Sequence, residues 1–405
     1  MKCIRCGNKD PTYFHYGSRG YYCRKCIGFN RVLIEEELEP IEYEIGEDAY
    51  DFNISYKLTS YQLQASKECL KTLNSDLDVL LHCVCGAGKT EIVVESISDY
   101  LKRGLKVCYA ISRREVVIEL AQRFQKIFAN AKVTAIYGGH TDTDYADFII
   151  CTNHQLYRFY KTFDLLILDE VDAFPLKGNE TLMNISLNSS KGHIIFSTAT
   201  VDSVLNKVLS KRRYHEIKLY VRPSLKPLII PKVIYSTKFL SYLHLYKILH
   251  SLTNQCIIFV SSKRECEVGY RIYSKFFSCT YVYSDLENRN QNIMDFKNKK
   301  YKYCFSTSLL ERGISIYDVN VIILDFNQTI FDTSSLVQML GRVGRNIKNP
   351  YGYAYIITNH YDKSINETVK YLKEANSYLW DVCIVIKILR RSVYILLFLK
   401  RIDYV

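Results

Sequence analysis

No stretch of about 18 apolar residues runs anywhere in this 405-residue chain, and it does not open on a basic start, an apolar run and a small-residue cleavage site. Those two absences argue against a membrane-spanning helix and an export signal, so the body of the chain is expected in the cytoplasm. Proline is scarce at seven residues, and three of the seven fall together in LYVRPSLKPLIIP at 219–231, which marks that segment as an extended connector. Neither an internal repeat nor a low-complexity tract appears beyond a loose likeness of the two halves, which excludes a repeat array. Acid is outnumbered by base, 42 Asp and Glu against 54 Lys and Arg, for a formal net charge of +12. That excess suits a polyanionic partner, nucleic acid or an acidic membrane surface, without choosing between them. Of the fourteen cysteines, ten are scattered singly or lie in apolar segments such as VCYAI and CIIFV, where thiols behave as small buried hydrophobes; a reducing compartment fits.

What is present divides the chain into six parts. Residues 1–34 form a cysteine-, glycine- and tyrosine-rich module, and 35–57 an acidic linker beginning EEELEPIEYEIGED. Within 58–218 the pattern of apolar run, turn and helix recurs: VLLHCV, KVCYAI, DFIICT, FDLLILDE and HIIFSTAT read as strands, with helices from about Lys89 to Leu101 and over EVVIELAQRFQKIF. After the connector at 219–232, a second series spans 233–365, with strands at 256–260, 302–307, 321–326 and 353–358 and helical candidates at 264–276, 290–298 and 334–341. Alternation of this kind predicts α/β domains with parallel sheets. The last part, 366–405, ends in WDVCIVIKILRRSVYILLFLKRIDYV, apolar almost all round but broken by Lys387, Arg390 and Arg391. An in-plane amphipathic anchor, a docking segment or an altered reading frame each produce such a tail.

Cys3-x2-Cys6 and Cys23-x2-Cys26, sixteen residues apart, have the spacing of a structural four-thiolate zinc site. The apolar residues around them are too few to hold so small a unit by burial, whereas zinc contributes on the order of 10–16 kcal/mol in such modules. Four unrelated thiols or two disulfides are the alternative. Arg5, Lys9, Arg19, Arg24 and Lys25 make the module basic, which suits nucleic-acid contact or a plain solvated surface.

CGAGKTE at 85–91 follows a strand-like run and leads into a helix, the context of a phosphate-binding loop. Gly86 and Gly88 let the backbone cradle phosphates, Lys89 reaches the outer ones, and Thr90 holds Mg²⁺. Cys83 and Cys85 are small residues that fit such a loop. In FDLLILDEVD two carboxylates emerge at a strand end, the edge where ligands bind in open α/β sheets. Asp169 would hold Mg²⁺ through water and Glu170 would orient the attacking water; an acidic surface turn is the bland reading. STAT at 197–200 relays nucleotide state or caps a helix starting at Asp202. In SLVQMLGRVGRN, Gln338, Arg342 and Arg345 line one side of a helix-to-turn transition. An arginine supplied to the transferred phosphoryl group is worth roughly 10³ to 10⁵ in rate, so two α/β units facing one nucleotide are expected; structural salt bridges are the alternative. FSTSLLERG adds Thr307, Glu311 and Arg312 at a strand end, and LTSYQ adds Gln62 for the adenine edge.

Ordered as CGAGKTE, DEVD, STAT, LLERG and QMLGRVGR, these motifs resemble those of superfamily 2 helicases and translocases over roughly residues 58–358. With the N-terminal cysteines, VCGAGKTE, TNHQLYRFYKTFDLLILDEVDAFP and LLERGISI, the chain is similar to the ComFA family of competence ATPases. The resemblance implies two tandem RecA-like domains behind a zinc module, with ATP, Mg²⁺ and Zn²⁺ as cofactors. It also implies a single-stranded DNA motor at the inner face of the cytoplasmic membrane, partnered by ComFC and the ComEC uptake channel. Matching motifs carry over Lys89, Thr90, Asp169, Glu170, Gln338, Arg342 and Arg345 for ATP, the four cysteines for zinc, and Arg113, Thr152 and Thr307 for nucleic acid. Rival readings are an RNA helicase, a primosomal or repair helicase, and a nucleotide-gated DNA-binding scaffold without turnover. A polar helical tail is the family's expected ending, and the apolar tail departs from it.

Overall fold

The computed structural model describes residues 1–45, 51–141, 146–311, 316, 318–325 and 331–379. The expectation for the apolar tail beyond 379 and the call on Arg312 lie outside the described residues. Contacts divide the chain into two compact units, one of 1–83 and 88–219, the other of 84–87 and 220 onward.

The first unit opens with a hairpin of β1 (Phe14–Gly17) and β2 (Gly20–Cys23). Behind it come α1 (Ser60–Leu73), β3 (Asp78–Cys83), α2 (Lys89–Ile92), α3 (Val94–Lys102), β4 (Val107–Ile111) and α4 (Arg114–Ile127). Next are β5 (Val133–Tyr137), β6 (His140–Thr141), β7 (Phe148–Thr152), β8 (Phe163–Asp169), α5 (Glu180–Asn188), β9 (Ser190–Thr198), α6 (Ser203–Leu209) and β10 (Tyr214–Leu219). These strands form one sheet in the order β10-β3-β9-β8-β4-β7-β5-β6, parallel except for the β5–β6 pair. β4 and β7 are buried at every position, as strands covered by helices on both faces must be. β10 alternates exposed and buried residues over YHEIKL because it closes the sheet at its edge, and that charged alternation hid it from the sequence reading.

The cysteine module is not tethered loosely. Asn188 at the end of α5 donates its amide to the Ile4 and Arg5 carbonyls at 3.2 and 2.8 Å, and Ile185 of the same helix packs into the cysteine core. The acidic stretch after it also lies down on the domain. Ile41 and Tyr43 pack against the sheet's core, and Lys106 donates to the Ile41 carbonyl at 3.0 Å and pairs with Glu42 at 3.1 Å.

The second unit contains β11 (Lys232–Tyr235), α7 (Lys238–Ser251), β12 (Cys256–Val260), α8 (Lys263–Tyr273), β13 (Cys279–Val282) and α9 (Arg289–Lys297). It continues with β14 (Tyr303–Ser306), β15 (Asn320–Asp325), α10 (Thr333–Leu340) and β16 (Ala354–Thr358), followed by a helix over 363–379. Its sheet runs β11-β16-β15-β12-β14-β13, every pair parallel. The expected pair of α/β domains with parallel sheets is therefore what the chain forms, and the three helices anticipated in this half start and end within a few residues of α8, α9 and α10.

Close packing of helix on sheet is set here by one small residue. A Cβ added at Gly269 of α8 would come within 2.6 Å of the ring of Phe305, itself fully buried in β14. Gly269→Ala should therefore cost about 1–3 kcal/mol through overpacking, not return the roughly 0.5–1 kcal/mol that this change yields in an open helix. Calorimetric unfolding decides between the two signs.

Candidate functional site

Residues 84–88 run from the end of β3 into α2, and the two glycines there are held in left-handed backbone, Gly86 at φ 80° and Gly88 at φ 88°. Only glycine takes that conformation cheaply. At Gly88 a side chain would also collide with the amide nitrogen of Gln62. Gln62 is buried because it completes a capping box at the start of α1: its Oε1 accepts from the Thr59 N–H at 3.0 Å and the Thr59 hydroxyl at 3.1 Å. The oxygen is thus committed to the helix cap and the nitrogen faces the loop.

Directly after Gly88, Lys89 opens α2 half-buried, its Nζ 3.8 Å from Asp169 Oδ1. Asp169 ends β8 at 6% exposure, and neighbouring strands aim donors at it. From β9 the Ser197 hydroxyl donates to Oδ1 at 2.7 Å, and the Glu170 backbone N–H adds a second bond at 2.9 Å. From β4 the Tyr109 phenol donates to Oδ2 at 2.6 Å. Burial first, then the neighbouring Asp169 charge, pushes the Tyr109 phenol well above its ordinary value, so it stays a donor at any physiological pH. A carboxylate offers about four acceptor positions, so these bonds fix its orientation and leave capacity on Oδ2 for a hydrated cation.

Glu170 follows with φ 53°, a left-handed conformation that costs a non-glycine residue on the order of 1 kcal/mol and is held here by the Ala173 N–H on its carbonyl at 2.9 Å. Asp172 receives the Thr200 hydroxyl at 3.1 Å. STAT therefore makes direct contact with DEVD at both ends. Of the two readings of STAT, capping falls to another residue: the helix that follows is capped by Asp202, whose Oδ1 accepts the Leu205 N–H at 2.7 Å. Arg113 is the N-cap position of α4, and Thr152 ends β7, so both lie at the carboxyl edge of the sheet that carries Asp169.

In the second unit α10 is capped by Asp332 and ends at Gly341, where the chain enters a turn. Gln338 and Arg342 are buried, at 3% and 0% exposure, while Arg345 is half-exposed. Arg342 Nε donates to the Glu311 carbonyl at 3.2 Å and Arg345 Nε to the Gly341 carbonyl at 3.0 Å. Gln338 Oε1 accepts from the Cys85 thiol at 2.7 Å, which gives Cys85 a polar contact besides its expected filling role. Thr307 follows β14 half-buried.

Two residues of this architecture escaped the sequence reading. Tyr109 was counted within an apolar strand; a tyrosine flanked by fully buried positions needs a partner for its hydroxyl, and that was the available signal. Arg222 lies in the connector whose prolines drew attention. Its guanidinium, 4% exposed, donates to the carbonyls of Cys85 at 2.9 Å, Gly341 at 2.8 Å and Val343 at 2.6 Å. Burial, with Arg345 nearby, lowers Arg222 to about 10, which still leaves it cationic at neutral pH. It ties residue 85 to the turn that carries Arg342.

At the N-terminus the four cysteine sulfurs are buried and lie within 4.8 Å of one another, Cys3 to Cys26 at 3.7 Å and Cys6 to Cys23 at 3.8 Å. Four thiolates at about 2.3 Å around one tetrahedral ion stand about 3.8 Å apart, so the cluster has the size and donor chemistry for zinc.

The DEAD/DEAH box helicase family matches residues 59–208, and the helicase conserved C-terminal domain matches 238–347. The fold is similar to that of Dbp5 from S. cerevisiae bound to RNA and ADP BeF3, with a TM-score of 0.57 at 17% identity, covering 78% of this chain and 91% of that one. The molecule is thus an ATP-dependent helicase-class protein of superfamily 2, two RecA-like domains in tandem. Competence protein ComFA of Bacillus subtilis is 29% identical over 397 residues, 93% of this chain and 85% of that protein. Competence protein ComFA of Streptococcus pneumoniae is 30% identical over 389 residues, 92% of this chain and 90% of that protein, and the chain belongs to the ComFA family.

If Tyr109 and Ser197 hold Asp169 in its working orientation, Tyr109→Phe and Ser197→Ala should each lower kcat for ATP roughly tenfold, the scale of one lost hydrogen bond to a charge. Steady-state ATPase across a magnesium titration checks this; unchanged kcat in both variants contradicts it.

Proposed function

We propose that this chain is an ATP-driven, single-stranded DNA translocase that moves transforming DNA into the cytoplasm during natural competence. The observation that carries the reading is the match to two ComFA proteins over more than nine-tenths of the chain, with a four-cysteine cluster at its start. Lys89 binds the outer phosphates, and Thr90 with Asp169 holds magnesium, which neutralises phosphate charge when bound. Glu170 orients the attacking water. Gln62 reads the adenine edge, its nitrogen toward the loop. Gln338, Arg342 and Arg345 serve the same nucleotide from the second domain, where the arginines meet charge developing on the transferred phosphoryl group. Alternate closing and reopening of the two domains would advance the grip along the strand.

DNA contacts are assigned to Arg113 and Thr152 in the first domain and Thr307 in the second. Two of these three are short hydroxyl side chains at strand ends, suited to phosphates and blind to base identity, so sequence preference should be slight. The four cysteines hold one zinc ion. By the same family membership we assign the motor to the inner face of the cytoplasmic membrane, working with ComFC and the ComEC channel. Among the described residues no helix is long and apolar enough to cross a membrane.

The test is ATP turnover with single-stranded DNA, duplex DNA and RNA as activators. Single-stranded DNA should stimulate most, and Lys89→Ala and Arg342→Ala should each lose at least about a hundredfold in stimulated kcat, the range for a phosphate ligand or a supplied arginine. Near-normal turnover in either variant contradicts the site, and stronger stimulation by RNA favours an RNA helicase.

A further inference from the structure

The cysteine module carries a surface that the ATP site does not use. In the β1–β2 hairpin the cross-strand pairs are Phe14 with Cys23, His15 with Tyr22, and Tyr16 with Tyr21. Side chains alternate faces along a strand, so Tyr16 and Tyr21 share a face with Phe14 and Cys23. Phe14 and Cys23 belong to the packing around the cysteines, but one step nearer the tip the core has ended. Tyr16 is left 67% exposed and Tyr21 46%, their rings edge to face with centroids 5.0 Å apart. Tyr13, 40% exposed, extends the aromatic surface along the module.

The charges the module itself sets around these rings are mainly basic. Lys25 lies over the Tyr13 ring at 5.3 Å, the Arg24 N–H bonds the Tyr13 carbonyl at 2.7 Å, and Arg19 occupies the exposed hairpin tip. The acid in this stretch, Asp10, is occupied in capping its own turn, accepting the Thr12 N–H at 3.0 Å and the Thr12 hydroxyl at 2.8 Å. The four cysteines lie together at the base of this surface, and Asn188 pins the chain beneath it. On the opposite hairpin face Tyr22 is already covered by the Arg31 guanidinium at 4.5 Å, which leaves the Tyr16–Tyr21 face as the open one.

Exposed flat rings interleaved with cations are what a flexible, unpaired polyanion with stackable bases requires: bases stack on the rings and phosphates meet the cations. Duplex DNA hides its base faces and fits this surface poorly. The geometry points to the Tyr16–Tyr21 face, with Tyr13, Arg19 and Lys25, as a binding platform for single-stranded nucleic acid, separate from the strand-end contacts of the two helicase domains. This rests on the reading of the chain as a single-strand motor, and gives it an additional grip.

The experiment uses the full chain and a fluorescein-labelled oligothymidylate, followed by anisotropy without nucleotide. Tyr16→Ala combined with Tyr21→Ala should weaken binding about tenfold, the scale of one to two lost stacks. Tyr16→Phe with Tyr21→Phe should bind like wild type, since the ring and not the hydroxyl stacks. Arg19→Ala with Lys25→Ala should flatten the log–log salt dependence by about 0.7 per lost phosphate contact. Unstimulated ATPase and bound zinc should be unchanged in all three, which separates a lost contact from an unfolded module. A wild-type chain that binds no oligonucleotide overturns both this platform and the translocase reading. A wild-type chain that binds, with the alanine pair binding equally well, overturns the platform alone.

Discussion

A carboxylate removed from water at the end of a parallel strand is the constraint on which the rest of this molecule turns. Asp169 is nearly buried, and an isolated charge in such a place is costly unless donors surround it. Three strands solve the problem together. β8 delivers the carboxylate, β9 brings the Ser197 hydroxyl, β4 brings the Tyr109 phenol, and the loop after β3 sets Lys89 at 3.8 Å. The order in which those strands neighbour one another, β3-β9-β8-β4, is what brings the four groups to one edge. A sheet with the same strands in another order would leave Asp169 exposed or unsatisfied.

The same economy appears in the second unit, where buried polar groups are answered by backbone. Arg222 and Arg342 are cations with little or no exposure, and the bonds seen for both are to carbonyl oxygens. Carbonyl oxygens meet the directional demand of a buried guanidinium, and Arg222 thereby fixes the turn that carries Arg342.

Much of this was legible from residue order. The phosphate loop announced itself because a strand, two glycines and a Lys-Thr pair have few other uses, and the DEVD carboxylates because acids directly after LLIL are rare on a plain surface. The cysteine spacing was legible for the same reason. What escaped depended on which residues meet across strands. Tyr109 looked like core, and nothing in VCYAI says that β4 would lie beside β8 and face Asp169. Ser197 was noticed, but its partner was not. β10, β13 and β5 went unread because short edge or polar-interrupted strands lack a strong period. Arg222 was hidden by its own neighbours: prolines spoke for an extended chain, and extended chain was read as a spacer, whereas three carbonyls make it a clasp.

The central claim is that Asp169 is the carboxylate through which a divalent cation joins the nucleotide. Binding of ATP in the presence of Mn²⁺, followed by electron paramagnetic resonance of the bound ion, tests it most directly. The account predicts that wild type binds one Mn²⁺ together with ATP, and that Asp169→Asn, folded and still binding metal-free nucleotide, loses that ion by at least about tenfold in affinity. Equal Mn²⁺ binding by wild type and Asp169→Asn would contradict it.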